Sequence, residues 1–304
     1  MLYDFPFYYL LPLLFFIGVM AGTIDAIAGG GGLISLPALL ALGLPPQLAL
    51  GTNKLQTSFG TLMATVTYYR EGWISFGTIY KGLLFGCLGS VLGACLGQQL
   101  SSEILRKIMP ILLFLILVYT IFSPKLGKNE NHPKMGEFIF YTAFGFLLGF
   151  YDGFFGPGTG SLWLFAMTFY LGYTLTKASA YTKVFNLKSN VIATACFAFG
   201  DNIDYRIALV MAVGQLIGGK VGATLAIKKG ALLIRPLFIF IVSLTIISLI
   251  YKNYSTLIHQ VLIKNAIETK VIIMTFGIIF ILFILYLLWN LKWKTQSKSA
   301  SADS

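Results

Sequence analysis

Asp25–Lys54, DAIAGGGGLISLPALLALGLPPQLALGTNK, and Asp152–Lys183, DGFFGPGTGSLWLFAMTFYLGYTLTKASAYTK, share one layout: an acidic residue, a glycine-rich turn, a short apolar segment and a lysine on a polar helix. The two stretches register at an offset of 127 positions, which also aligns Gly18 with Gly145, Gly22 with Gly149, Gly29 with Gly156 and Gly31 with Gly158. After a two-residue insertion the offset becomes 129, aligning Ala64 with Ala193, Thr65 with Thr194, Gly89 with Gly218, Gly93 with Gly222 and Arg106 with Arg235. A duplication with one site-like segment in each half, set among long apolar runs, is the usual plan of a secondary transporter.

The surrounding composition is that of a membrane protein. Of the 304 residues, 57% are hydrophobic and 11% charged, and the mean hydropathy is +0.81, well above what a soluble domain carries. A crossing helix needs roughly 20 mostly apolar residues to span about 30 Å of hydrocarbon. Runs of that length lie at 6–27, 47–69, 77–98, 105–122, 137–155, 175–199, 206–227, 231–251 and 271–291, which predicts an all-α polytopic membrane protein. The first is read as a retained span, because MLYDFPFYYLL carries Asp4 and no lysine or arginine, unlike a cleaved leader. The net charge of +11 is read as topology, since basic residues at span ends orient a protein against the cytoplasmic leaflet; no nucleic-acid partner is expected. Cys87, Cys95 and Cys196 fall inside predicted spans and His132 and His259 in connections, so neither a disulfide framework nor a metal motif is present, and no metal or cofactor is expected. The expected partners are the lipid bilayer and a small anionic solute, with a homodimer left open.

Four segments follow: a first transmembrane repeat at 1–122, a polar linker at 123–137 (SPKLGKNENHPKMGE, shared with the start of the next span), a second repeat at 138–251, and a C-terminal extension at 252–304 with one span, 271–291, and a basic tail bearing Lys292, Lys294 and Lys298. In each half the odd element is the short apolar segment, Leu33–Gly43 or Ser161–Gly172; as a helix it would be about 16–18 Å long, half a membrane. Irregular backbone at membrane depth is tolerated only inside protein or beside water, which places the glycine turns in the interior. Glycines at Gly82-x3-Gly86, Gly89-x3-Gly93-x3-Gly97 and Gly214-x3-Gly218-x3-Gly222 have the small-residue spacing of closely packed helices.

The polar residues after each turn fall in one line. From Lys54, steps of 3, 7 and 11 reach Thr57, Thr61 and Thr65; from Lys183 they reach Asn186, Asn190 and Thr194, one helical face in each case. Such a stripe lines a cavity or an interhelical contact, because unpaired polar groups facing lipid are costly. Lys54 and Lys183 are candidates to supply positive charge to an anion, with Thr57, Thr61, Asn186 and Asn190 donating hydrogen bonds; against this stands snorkelling of the lysines to the interface and threonines bonded to their own backbone. Gly29, Gly30, Gly31, Gly32, Gly156 and Gly158 are candidates for close backbone approach to the ligand, aided by the positive end of the following segment. Asp25 and Asp152 are read as structural partners of the lysines, as proton carriers for coupled transport, or as caps before the turn. Lys188, five residues past Lys183, lies on another face and is left out of the candidate site.

At these residues the chain resembles the sulfite exporter TauE/SafE family, also called the 4-toluene sulfonate uptake permease family, through Gly22–Pro37 with its DAIAGGGGLISLP core, Leu50–Gln56 with GTNKLQ, Gly149–Ser161 with GFYDGFFGPGTGS, and Lys183–Asn190. The resemblance covers about residues 5–250 and is greatest to the branch of bacterial inner-membrane transporters. It implies export or uptake of small sulfur-containing anions such as sulfite and sulfonates. The expected function is therefore secondary, ion-coupled transport of such anions. A passive anion channel is the alternative; a membrane-embedded enzyme would need a nucleophile, base or metal grouped at one depth, and is not expected.

Orientation of the halves is read from charge. If each short segment dips in and returns, a half crosses four times and the halves are parallel, splitting sixteen basic residues eight against eight. If it crosses by joining another half-helix, the count is five, the halves are inverted, and the split is ten against six, with Arg70, the linker, Lys228, Lys229, Arg235 and the tail together. The positive-inside rule favours inverted halves with the linker and the tail cytoplasmic.

Overall fold

A computed structural model describes residues 7–77, 79–101, 103, 104, 111 and 132–229. The expected spans at 105–122 and 231–251, most of the linker, and the C-terminal extension lie outside the described residues. Those described form eight helices and no strand: α1 (Phe7–Ala28), α2 (Gly32–Leu42), α3 (Pro46–Arg70), α4 (Tyr80–Gln99), α5 (Glu137–Phe154), α6 (Thr159–Tyr170), α7 (Leu175–Phe199) and α8 (Tyr205–Lys229). Three segments, Leu10–Ala28, Tyr80–Gln99 and Tyr205–Lys228, are long and apolar enough to cross a membrane on their own composition. α3 and α7, at 25 residues each, are also long enough to cross, but their polar stripes dilute their hydropathy.

Two long helix pairs hold the bundle together, and both depend on glycine. On α4, a side chain at Gly89 or Gly93 would collide with the Phe146 or Phe150 carbonyl oxygen of α5; on α8, one at Gly214, Gly218 or Gly222 would meet Phe15, Val19 or Thr23 of α1. Without a hydrophobic drive between helices in lipid, this backbone proximity is the main source of association. Both pairs are parallel, because the contacting positions rise together along each helix.

α3 and α7 meet antiparallel. Near the start of α3, Gly51 lies against Phe197 at the end of α7. Near its end, Tyr68 donates to Ala26 O beside Ser179, near the start of α7, which donates to Ile27 O. α3 runs parallel to α8, with Thr52 bonded to Asp204 N and Gly60 against Gly219, and so it also runs parallel to α1. α2 therefore leads back beside α1, and α3 sets out again from the end where α1 began.

Return of the short segment and antiparallel α3/α7 were expected to exclude one another, and they do not. The expectation counted α1 as a complete crossing by itself. With α2 it instead forms a hairpin that begins and ends on one side, which leaves the direction of everything after it reversed. Along this bundle Arg70, Lys81, Lys134, Lys177, Lys228 and Lys229 gather at one end and Arg206 at the other.

Candidate functional site

The last residues of a helix have carbonyls with no partner further along the chain, and inside a membrane only protein or trapped water can satisfy them. α1 ends in this condition at Ala26–Ala28, while Asp25 O already accepts from Gly29 N at 2.8 Å, and side chains from elsewhere reach all four carbonyls. Lys183 Nζ donates to Asp25 O, Tyr68 Oη to Ala26 O at 3.0 Å, Ser179 Oγ to Ile27 O at 2.9 Å and Ser161 Oγ to Ala28 O at 2.8 Å. At the corresponding end of α5, Lys54 Nζ donates to Asp152 O. Each lysine thus lies at the negative end of a helix dipole, where a cation is favoured.

Each lysine also pairs with the carboxylate at that end. Lys54 Nζ is 2.7 Å from Asp152 Oδ1 and Lys183 Nζ 2.9 Å from Asp25 Oδ2. All four residues are buried, Lys54 and Lys183 at 1% and 0% exposure. Each lysine reaches from one half of the chain to the aspartate of the other, so the pairs cross.

The two pairs differ in how completely their polar groups are satisfied. Lys54 has a third acceptor, Asn190 Oδ1 at 3.3 Å, and so uses all three ammonium protons. Asp25 Oδ1 accepts the Gly31 N–H at 3.3 Å, whereas Asp152 Oδ2 is buried with no hydrogen-bond partner. Asn186 Oδ1 and Thr182 Oγ1, on α7, are likewise buried without a partner.

The glycine turns face each other. Gly29, at φ +74°, lies so close to Gly160 that a side chain there would strike its backbone, and Gly32 abuts Pro157. Gly156, at φ +93°, leaves the space that the Lys54 ammonium fills. The close backbone approach expected of Gly29, Gly32 and Gly156 is thus made to protein, because the two turns and the lysine heads occupy the same small volume. Gly31 is the N-cap residue of α2, Gly158 (φ +83°) that of α6, and Gly30 accepts from Leu33 N.

The polar stripes of α3 and α7 face inward, as the spacing implied. Thr61 Oγ1 donates to Thr57 O at 2.9 Å and Thr65 Oγ1 to Thr61 O at 2.7 Å, so these hydroxyls serve their own helix, and Thr57 Oγ1 accepts from Gln56 Nε2 at 3.2 Å. Sequence reasoning missed a buried amide chain across three helices. Ser35 Oγ donates to Asn53 Oδ1 at 2.5 Å, Gln56 Nε2 to the same oxygen at 2.8 Å, and Gln215 Nε2 to Gln56 Oε1 at 2.8 Å. The available signal was Asn53 and Gln56 flanking Lys54, and Gln215 as the lone amide of α8. Among the described residues no three His, Cys, Asp or Glu side chains converge, so no residue set is assigned to a metal.

Comparison with known proteins finds a family and named membrane transporter relatives. A family model described as sulfite exporter TauE/SafE matches residues 14–249. A protein of Haemophilus influenzae named "Probable membrane transporter protein" is 41% identical over 242 residues, covering 80% of this chain and 95% of the relative. A Sinorhizobium protein, "Probable membrane transporter protein ORF9", is 40% identical over 234 residues, 77% of this chain and 90% of the relative. The Escherichia coli K12 protein "Probable membrane transporter protein YfcA" is 38% identical over 245 residues, 81% and 91% of the two chains. No solved structure matches. Length of match and level of identity together place the chain in the sulfite exporter TauE/SafE family of membrane transporter proteins.

Proposed function

We propose that this protein is an ion-coupled secondary transporter of small anions, sulfite, sulfonates or related organosulfur anions, in the bacterial inner membrane. The observation that carries the reading is the crossed pair of buried lysine–aspartate bridges at two helix ends that meet inside the bundle. Two halves with antiparallel counterpart helices, α3 and α7, form an inverted-repeat frame, in which rocking of one half against the other moves an enclosed solute. Charge distribution supports the orientation: six basic residues at the end of the described bundle carrying Arg70 and Lys134, against Arg206 at the other, put the former in the cytoplasm.

Within this frame Lys54 and Lys183 hold the halves together, while Asn186 and Asn190 and the threonines of α3 line the interior that the solute passes. Asp152 is the residue assigned to coupling, because its free carboxylate oxygen can take a proton without first breaking the bridge. A counterflow experiment tests the class of activity. Vesicles containing the full chain and preloaded with unlabelled sulfite should show a transient overshoot of labelled sulfite. A channel would give monotonic equilibration, and an enzyme would give product without flux.

A further inference from the structure

Both carboxylates at the crossed helix ends are already paired. Of the 11 acidic residues, only Asp25, Glu137 and Asp152 fall within the apolar runs, and Glu137 opens α5, where Tyr173 Oη donates to it at 3.1 Å. Lys188 therefore has no carboxylate of its own, and among the described residues it forms no ion pair. It is the fourteenth of the 25 residues of α7, so about 16–20 Å of helix separates it from either end at the usual rise, more than a lysine stem can bridge. An ammonium at such depth stays charged only where water or an anion meets it.

Its surroundings fit an anion. Lys188 Nζ donates to Ser90 Oγ of α4 at 3.4 Å, and Ser90 Oγ in turn has two acceptors for its one proton, Gly86 O at 2.7 Å and Ser189 Oγ at 2.9 Å. Both serines are fully buried, while Lys188 is half-buried and keeps an open side. Gly86 provides the room, since a side chain there would run into the ammonium. The Lys54–Asp152 bridge is near enough to act on Lys188 electrostatically. The other half has no equivalent: at the offset of 129, Lys188, Ser189, Ser90 and Gly86 become Phe59, Gly60, Gly219 and Gln215. Lys220, on α8, is exposed and takes no part in this cluster.

We propose that Lys188, its ammonium positioned by the buried Ser90–Ser189 pair, binds the transported anion, a small oxyanion of the sulfite or sulfonate kind, one per chain. This rests on the anion-transport reading above and shifts the binding charge from the paired lysines to the unpaired one. The test uses the purified full chain, wild type, Lys188→Met and Lys188→Arg, with sulfite and methanesulfonate as probes, read both by melting temperature in detergent and by flux into vesicles. In the wild type one or both probes should raise the melting temperature and enter the vesicles. Lys188→Met should melt at or above the wild-type temperature without anion, because an uncompensated charge is gone, yet lose the anion-induced shift and at least ten-fold of the flux. Lys188→Arg should retain both in part. An undiminished shift and flux in Lys188→Met would overturn the assignment, as would a fall in its anion-free melting temperature that Lys188→Arg fails to restore. An anion-induced shift that disappears in Lys188→Met, in a protein with no flux, would leave the site standing and remove the transport reading; a wild type with neither shift nor flux removes both.

Discussion

Lys54 Nζ and Asp152 Oδ1 stand 2.7 Å apart, on helices from opposite halves of the chain, with both residues shielded from solvent. The bridge lies at the end of α5, where the same ammonium also serves a main-chain carbonyl. One side chain thus neutralises a buried carboxylate, satisfies a helix end and ties the halves together. Breaking such a pair on one side leaves an uncompensated charge, which costs about 3–5 kcal/mol, whereas replacing both partners by apolar groups is often neutral. Lys54→Ala should therefore lower the yield of folded protein sharply. Lys54→Met combined with Asp152→Leu should recover most of it while remaining inactive in transport. Fluorescence-detected size exclusion across a temperature series measures both.

A contrast between two glycines checks the close meeting of the turns. Gly43 has φ +102° with open space around it, and Gly29 has φ +74° with Gly160 against it. Gly43→Ala should cost only the left-handed backbone term, about 1–2 kcal/mol. Gly29→Ala adds a collision with the opposite turn and should abolish the folded species. Equal melting temperatures for the two variants would mean that the turns do not touch.

Membrane orientation is open to cysteine labelling in a background where Cys87, Cys95 and Cys196 are replaced by serine. Glu71, the C-cap residue of α3, and Ser101, just past the end of the oppositely directed α4, are both exposed. An impermeant thiol reagent added outside intact cells should label Ser101→Cys and miss Glu71→Cys. The reverse pattern would turn the bundle over.

Among the described residues the helices were legible in the sequence, because periodicity and glycine spacing act locally. The short segments were placed at Leu33–Gly43 and Ser161–Gly172 and form α2 (Gly32–Leu42) and α6 (Thr159–Tyr170). Chain direction was harder: α1 has the length and hydropathy of a full crossing, and nothing in its residues says that α2 will fold back beside it. At the site, spacing located Lys54, Lys183, Asp25 and Asp152, but a one-dimensional pattern carries no pairing, so lysines offered to an anion could not be told from lysines bound to aspartates. Lys188 was passed over for lying off the stripe. Setting deep intramembrane lysines against carboxylates would have left Lys188 and Lys220 unmatched, and only the structure separates the clustered Lys188 from the exposed Lys220.

Proton coupling through the crossed pairs is the account's central claim, and accumulation of labelled sulfite by vesicles under an imposed pH gradient tests it most directly. The two aspartates should differ, because Asp25 has both oxygens engaged while Asp152 has one free. Wild-type protein should concentrate sulfite above equilibrium and lose that gradient on addition of a protonophore. Both Asp152→Asn and Asp25→Asn should lower the yield, since each leaves a buried lysine without its carboxylate; per folded molecule Asp152→Asn should only equilibrate sulfite, while Asp25→Asn should keep its pH response. Wild-type vesicles that never exceed equal concentrations under any gradient, or an Asp152→Asn variant that accumulates as the wild type does, would contradict the account.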